Sequence, residues 1–77
     1  MSAIVVDLSE RFKAVRKERG LTQKQVANAL GIAESAYQKY EYGTNVPGAY
    51  ALIAIAECFD VSLDYLTGRT DNPEINR

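Results

Sequence analysis

The 77-residue sequence contains no histidine and only one cysteine, Cys58. One cysteine cannot form an internal disulfide, so we expect no covalent cross-link and a cytoplasmic location. Without histidine, the usual ligands of a zinc site and the usual base of a nucleophilic triad are missing. The sequence also lacks a glycine-rich phosphate loop and paired carboxylates in a suitable context. We therefore predict no metal, no cofactor and no enzymatic activity.

Long hydrophobic runs are missing as well. No apolar stretch approaches the roughly 18–20 residues that span a bilayer, and residues 1–6 carry no basic group of the kind that opens a signal peptide. Apolar residues nevertheless make up 47% of the chain, which is typical of a globular protein. The length fits one domain. We predict a single domain over residues 1–77, with its core at about 7–68 and flexible ends at 1–6 and 69–77, and no membrane association.

Charge of one sign is not in large excess, since the formal net charge is −1 and the pI is about 5.3. This acidic balance is unusual for a domain that binds nucleic acid. The charges are unevenly distributed, however: residues 1–24 carry a net charge of +3 and residues 25–77 a net charge of −4. The basic cluster either steers an anionic partner or is merely a solvated helix face.

Periodicity and capping residues predict an all-α fold of five helices. Glycines punctuate the pattern and are expected to end most of the helices. Asp7 and Glu10, like Thr22 and Gln25, have the spacing of a capping box. The predicted helices begin at Asp7, at Thr22, near Glu34, near Ala49 and at Ser62, and they end at Gly20, Gly31, Tyr42, Phe59 and Leu66.

The fourth of these helices is apolar on most sides, which predicts that it is the central and most buried one. Cys58 lies on it among apolar residues, so we expect this thiol in the core rather than as a reactive group. The tyrosines at 37, 40 and 65 are interpreted as packing residues, whereas Tyr42 and Tyr50 are expected to be exposed.

The second and third helices are separated by a short turn that contains a glycine. Ala27 precedes Gly31 by four residues, and a small residue on one helix followed by a glycine turn allows two short helices to cross closely. Ile32 and Tyr37 would fill the angle between them. This pattern is typical of a helix-turn-helix, although Ala27 and Gly31 alone would fit any helical hairpin.

Longer segments carry a more specific resemblance. Residues 16–23 (RKERGLTQ), 31–33 (GIA), 40–43 (YEYG) and 61–68 (VSLDYLTG) follow one another in the order and spacing of a known family. Over residues 8–73 the chain resembles the Cro/cI-type, or XRE-type, helix-turn-helix family of phage and bacterial repressors. The resemblance implies a five-helix, lambda-repressor-like domain with a central helix-turn-helix.

The resemblance also implies roles for individual residues. Arg16 and Glu41 match a structural ion pair between the first helix and the end of the third; the alternative is two solvated surface charges. The expected base contacts on the helix at about 34–42 are Ala33, Glu34, Ser35 and Lys39. The expected phosphate contacts are Gln23, Lys24, Gln38, Tyr42 and Thr44. For Gln23, Glu34 and Lys39 the alternative is an ordinary solvated surface.

Three features depart from the family pattern. Ala33 stands where relatives often have a Ser or Thr cap, the loop 44–48 has no basic residue, and Glu34 brings negative charge to the expected DNA face. All three lower the expected non-specific affinity for DNA, because that affinity comes largely from neutralising phosphates.

Two functions remain open on the sequence. The first is a transcriptional regulator, expected to be a repressor, that binds a palindromic site in double-stranded DNA as a homodimer. Its dimer surface would use the fifth helix and the tail, unless Leu63, Tyr65 and Leu66 pack inward in a monomer. The alternative is a protein-binding module on a helix-turn-helix scaffold, of the antitoxin or anti-repressor type, with weak or no DNA binding.

Overall fold

The computed structural model describes residues 7–75, and within this range the chain forms helices and no strand. The predicted flexible segment 1–6 lies outside the described residues. The all-α prediction is confirmed, with five helices at the expected places. They are α1 (Leu8–Glu18), α2 (Gln23–Leu30), α3 (Glu34–Tyr42), α4 (Ala49–Phe59) and α5 (Leu63–Leu66). None of these five helices combines the length and apolarity needed to cross a membrane.

The helix starts show which capping predictions hold. At α2 the full capping box forms: the Thr22 hydroxyl accepts from the Gln25 N–H at 3.0 Å, and the Gln25 side chain accepts from the Thr22 N–H at 2.8 Å. At α1 only half of the box forms, because Asp7 accepts from the Glu10 N–H at 3.4 Å and receives a second bond from the Ser9 hydroxyl at 2.6 Å. The predicted return bond from the Glu10 side chain is absent within residues 7–75.

The turn between α2 and α3 brings the two helices close together. Gly31 ends α2 with φ of 72°, a left-handed conformation that side chains with a Cβ adopt at a cost. The Ile32 N–H then donates to the Ala27 carbonyl at 3.0 Å. Ala27 and Tyr37 are fully buried, so the small side chain on α2 leaves room for the ring from α3. This close approach of two short helices is typical of a helix-turn-helix.

The core gathers side chains from all five helices and the turn before α5. Its fully buried large members are Phe12, Val15, Val26, Tyr37, Ile55, Phe59, Val61 and Leu66. Helix α4 buries Ile55, Ala56 and Phe59, more residues than any other described helix, in agreement with the prediction that it is the most buried one. It is not buried on most sides, however, because Tyr50 and Ile53 are exposed. Helix α4 packs against α2 and α5. Cys58 is only half-buried and packs at the edge of the core.

Helix α5 is short, and polar contacts attach it to α1. Ser62 caps its start by accepting from the Tyr65 N–H at 3.0 Å. The Arg11 guanidinium donates to the Tyr65 and Leu66 carbonyls and lies 5.1 Å from the centre of the Tyr65 ring. The tail, which the sequence predicts to be frayed, makes at least one ordered contact, because the Ser62 N–H donates to the Pro73 carbonyl at 2.9 Å.

Candidate nucleic-acid interface

Helix α3 presents a polar stripe on the side facing away from the core. Glu34, Ser35 and Lys39 are exposed, as is Ala33 at the position before the helix. Ser35 and Lys39 are four residues apart, so they are neighbours on the helix surface, and Glu34 lies beside Ser35 in the first turn. The structure therefore brings the four predicted base contacts together on one exposed surface.

The first turn of α3 lacks a side-chain cap. Ala33 occupies the cap position with extended backbone and accepts no N–H through its side chain. The first two N–H groups of the helix, those of Glu34 and Ser35, have no acceptor within the described residues. The acidic Glu34 in this turn interacts favourably with the helix dipole and partly compensates for the missing cap.

Beneath α3, Arg16 and Glu41 form a bidentate ion pair. Arg16 Nε lies 2.6 Å from Glu41 Oε2, and Arg16 Nη2 lies 3.1 Å from Oε1. The side chains of Arg16 and Glu41 are 11% and 1% exposed, so neither is the solvated surface charge that the sequence left open. Arg16 also donates to the Leu21 carbonyl at 2.8 Å, which fastens the turn before α2 to the same pair. One pair thus connects α1, the start of α2 and the end of α3.

The ion pair sets the protonation of the groups around it. Burial alone would raise the pKa of the Glu41 carboxyl, but hydrogen bonds, first of all from Arg16, outweigh burial and hold this pKa below its usual range. The Glu41 carboxylate in turn raises the pKa of Arg16. Burial raises the pKa of the neighbouring Tyr37 phenol far above its usual range. Glu41 is therefore ionised, and Tyr37 is neutral, at neutral pH.

Two glutamines extend this pair toward the surface. Gln23 Nε2 donates to Glu41 Oε1 at 3.0 Å, and Gln38 Nε2 donates to Gln23 Oε1 at 3.1 Å. We call Arg16, Glu41, Gln23 and Gln38 the polar junction. The sequence predicts the two glutamines as separate phosphate contacts and does not predict the hydrogen bond between them. The spacing offered a clue, because Gln38 precedes Glu41 by three residues and so lies on the same side of α3.

The start of α2 is suited to an anion. The N–H groups of Gln23 and Lys24 have no acceptor within residues 7–75, since the Thr22 cap takes only the N–H of Gln25. Free N–H groups at a helix start, with the positive end of the helix dipole behind them, attract phosphate oxygens. The exposed side chain of Lys24 adds a positive charge at this point.

The loop after α3 has polar and apolar groups but no cation. Tyr42 and Thr44 are exposed, and both the Thr44 N–H and its hydroxyl donate to the Lys39 carbonyl, at 3.0 and 3.4 Å. Val46 is also exposed. The basic side chains of α2 and α3 are thus Lys24 and Lys39, with Glu34 between them in sequence.

Within residues 7–75, no group of three Cys, Asp or Glu side chains lies close enough together to hold a metal ion.

The described residues form a helix-turn-helix domain of the lambda-repressor-like type. Its features are an exposed polar helix, a preceding helix with free N–H groups at its start, and a glycine turn between the two. The family model described as "Helix-turn-helix" matches residues 12–66. The chain belongs to the XRE-type, or Cro/cI-type, helix-turn-helix family.

Individual relatives agree with this assignment. The HTH-type transcriptional regulator YobD of Bacillus subtilis is 40% identical over 65 residues, which cover 84% of this chain and 58% of YobD. The phage CTXphi transcriptional repressor RstR of Vibrio cholerae is 39% identical over 62 residues, which cover 80% of this chain and 55% of RstR. The chain therefore spans little more than half the length of these curated relatives.

Two solved structures have the same architecture. The P22 c2 repressor, solved with a synthetic operator, superposes with a TM-score of 0.72 at 25% identity, covering 82% of this chain and 96% of that one. The biofilm regulator SinR, solved with DNA, gives a TM-score of 0.70 at 28% identity and covers 77% of this chain and 95% of its own. The lambda-repressor-like fold predicted from the sequence is confirmed.

Proposed function

We propose that this chain binds double-stranded DNA in a sequence-specific manner and acts as a transcriptional regulator of the repressor type. The observation that carries the proposal is the exposed stripe on α3 beside the free N–H groups at the start of α2, both attached to one polar junction. The names of its relatives, which are regulators rather than enzymes, support this function. The two structural neighbours solved with DNA support it as well.

In this proposal α3 lies in the major groove. Lys39 donates to O6 and N7 of guanine, Glu34 accepts from N4 of cytosine, and the methyl of Ala33 contacts a thymine methyl. The Ser35 hydroxyl both donates and accepts, so it suits more than one base. All four side chains are exposed. Ala33, Glu34 and Ser35 lie at the start of the helix, which is where recognition helices of this type meet base edges, and Lys39 lies one turn after Ser35 on the same face.

Phosphates would be held on both sides of α3. The backbone N–H groups of Gln23 and Lys24 and the Lys24 side chain bind one phosphate at the start of α2. The Tyr42 hydroxyl donates to the DNA backbone at the other end. The Thr44 hydroxyl does so as well once it turns away from the Lys39 carbonyl, to which it makes a long bond of 3.4 Å. Because α2 and α3 carry only Lys24 and Lys39 as cations, we expect a shallower fall of affinity with salt than for a strongly basic domain.

We propose further that the protein acts in the cytoplasm as a homodimer on a palindromic operator, with half-sites about one helical turn apart. The supporting observation is an apolar surface between α4 and α5, where Ile53 is 47% and Leu63 is 40% exposed. The sequence leaves open whether Leu63 and Leu66 pack inward. Leu66 is in the core, whereas Leu63 is exposed and remains available to a second copy. Sedimentation measurements on the wild type and on Leu63→Lys test the proposed homodimer. A wild-type dimer that dissociates on substitution of Leu63→Lys supports the proposal. A wild-type protein that binds DNA as a monomer contradicts it.

The experiment that tests DNA binding is selection from a randomised duplex library at low salt. The test variant is Glu34→Ala with Lys39→Ala, and the matched control is Lys13→Ala with Glu10→Ala on α1. Each pair removes one positive and one negative exposed charge, so the net charge is unchanged in both. We expect wild type and the control to enrich the same palindrome and the test variant to lose it.

The second candidate function is a protein-binding module. It is favoured by the exposed Glu34 and by the absence of a cation from the loop 44–48. A wild-type protein that is folded by circular dichroism yet enriches no duplex at low salt would replace DNA binding by this function.

A further inference from the structure

The polar junction has a direction, and that direction is set by its most buried group. A carboxylate only accepts hydrogen bonds, so the amide of Gln23 must turn its NH₂ group toward Glu41. Its carbonyl oxygen then faces Gln38, which must donate its own NH₂ group to it. Arg16 keeps Glu41 ionised, so this order of donors and acceptors is fixed at neutral pH.

The last polar atom in this series is Gln38 Oε1. It has no hydrogen-bond donor within residues 7–75, while its amide nitrogen has already used one N–H on Gln23. The free oxygen therefore belongs to an amide that cannot turn over without breaking the bond to Gln23.

Gln38 also occupies the middle of the exposed stripe on α3. It follows Glu34 by four residues and Ser35 by three, so it shares a helix face with both. Lys39 is the next residue in the chain. Gln38 itself is half-buried, in keeping with its contact to Gln23. A ligand that reaches Glu34 and Ser35 in the major groove thus lies next to the amide of Gln38.

We propose that Gln38 reads a base, with its Oε1 accepting from the exocyclic amino group of adenine or cytosine, and that the polar junction holds it in position. This inference rests on the proposed DNA binding. The sequence predicts Gln38 as a phosphate contact. A phosphate oxygen only accepts, so it could take the second N–H of Gln38 Nε2 but would leave the free Oε1 without a donor. Amino groups N6 of adenine and N4 of cytosine are the donors that the major groove presents. The amide is ordered before DNA arrives, so less freedom is lost on binding.

The test compares Gln38→Met, Gln23→Met, the double variant and Lys39→Met. Each protein is measured against the selected duplex and against duplexes with every other base at each half-site position, at two salt concentrations. We expect wild type to prefer adenine or cytosine at one position by about 10-fold and Gln38→Met to lose that preference alone. Comparing adenine with cytosine there identifies which amino group is read. Lys39→Met should relax a different position.

Gln23→Met separates positioning from contact. If the junction orients Gln38, Gln23→Met weakens the preference at the same base position, and the double variant loses little more, because coupled residues are not additive. Thermal unfolding of all four variants, with Gln38→Ala as a second truncation, identifies any variant that is simply unfolded.

Several outcomes overturn the inference. Loss of affinity by the same factor for every base, with a shallower salt dependence, would make Gln38 a phosphate contact. A preference for guanine or thymine at the position that Gln38 controls, or no change at any position, would also contradict it. A specific effect of Gln38→Met without any effect of Gln23→Met would overturn the positioning by the junction. If wild type enriches no duplex, both the proposed function and this inference fail. If wild type enriches a duplex and Gln38→Met enriches the same one with unchanged base preferences, only the inference fails.

Discussion

The two halves of this domain are held together by different kinds of contact. Under α2 and α3 lies the polar junction, in which a buried carboxylate receives bonds from Arg16 and Gln23. Between α4 and α5 the buried groups are apolar, with Phe59, Val61 and Leu66 at their centre. Both regions bury apolar side chains, including Val26, Ala27 and Tyr37 on α2 and α3. Among the described residues, however, a buried ion pair is found only under the helices that carry the candidate interface.

This difference has a physical consequence. Apolar contacts stabilise a fold with little dependence on angle, whereas a bidentate ion pair with attached amides is satisfied in one arrangement only. Replacing a buried ion pair by apolar residues is often neutral for stability, so the presence of such a pair says little about how stable the fold is. The pair can instead specify the orientation of the helices that it joins. We infer that the polar junction fixes how α3 is presented and that the α4–α5 contacts mainly keep the domain folded.

The largest effect is expected for Glu41→Ala. It leaves the Arg16 guanidinium buried without its partner, and loss of one member of a buried pair costs about 3–5 kcal/mol. Urea unfolding monitored by circular dichroism measures this loss. Glu57→Ala, at an exposed position on α4, is the control and should change stability little. Wild-type stability of Glu41→Ala would rule out the structural role of the pair.

The next largest effect is expected for Leu66→Ala, which weakens the apolar contacts between α4 and α5. Leu66 is fully buried, so its truncation removes apolar contacts and leaves a cavity, at a cost of about 3 kcal/mol. The comparison is with Leu63→Ala, which truncates a partly exposed leucine of the same helix and should cost much less at protein concentrations where the chain is monomeric. Equal losses for the two variants in the same unfolding experiment would mean that α5 does not pack as described.

Acid should weaken the polar half selectively. The pKa of Glu41 is lower in the folded chain than its ordinary value of 4.5, so folding favours the ionised form. Its contribution to stability is therefore complete above about pH 4.5 and is lost as the pH falls through the folded pKa. We expect the unfolding free energy of wild type to fall in this pH range relative to that of the apolar double variant Arg16→Met, Glu41→Leu. A difference that stays constant from pH 7 to pH 3 would contradict the assigned pKa direction.

The smallest effect concerns the missing cap of α3. Ala33→Ser supplies a hydroxyl at the cap position and should stabilise the domain by about 1 kcal/mol, measured as a rise in Tm. Thr22→Ala makes the opposite change at α2, where the cap bond already exists, and should lower the Tm by a similar amount. If Ala33→Ser lowers the Tm, the first turn of α3 does not have the extended cap geometry described.

Local signals predicted the helices well. The limits of α3 and α4 agree with the structure because glycines and a proline interrupt the apolar periodicity on both sides of α3. The end of α4 was also placed correctly, although the residue after it, Asp60, adopts the left-handed conformation without being glycine. Aspartate tolerates this conformation better than most residues, so the helix ends there without the usual glycine.

Longer-range features were predicted less well. The apolar composition of α4 says nothing about how many neighbours the helix has, and its outer face proved to be exposed at Ile53. The resemblance supplied Arg16 and Glu41, but the two glutamines that complete the polar junction come from different helices. Hydrogen bonds between side chains far apart in sequence depend on the packing angle of the helices, which periodicity alone does not fix.

The most direct measurement is the DNA discrimination of the apolar double variant Arg16→Met, Glu41→Leu. Its affinity for the selected duplex and for a scrambled duplex of the same composition is compared with that of wild type, after its fold is checked by thermal unfolding. We expect a folded protein whose preference for the selected duplex is largely lost, because α3 no longer has its directional attachment. A folded variant with the wild-type preference would contradict the claim that the polar junction orients the interface.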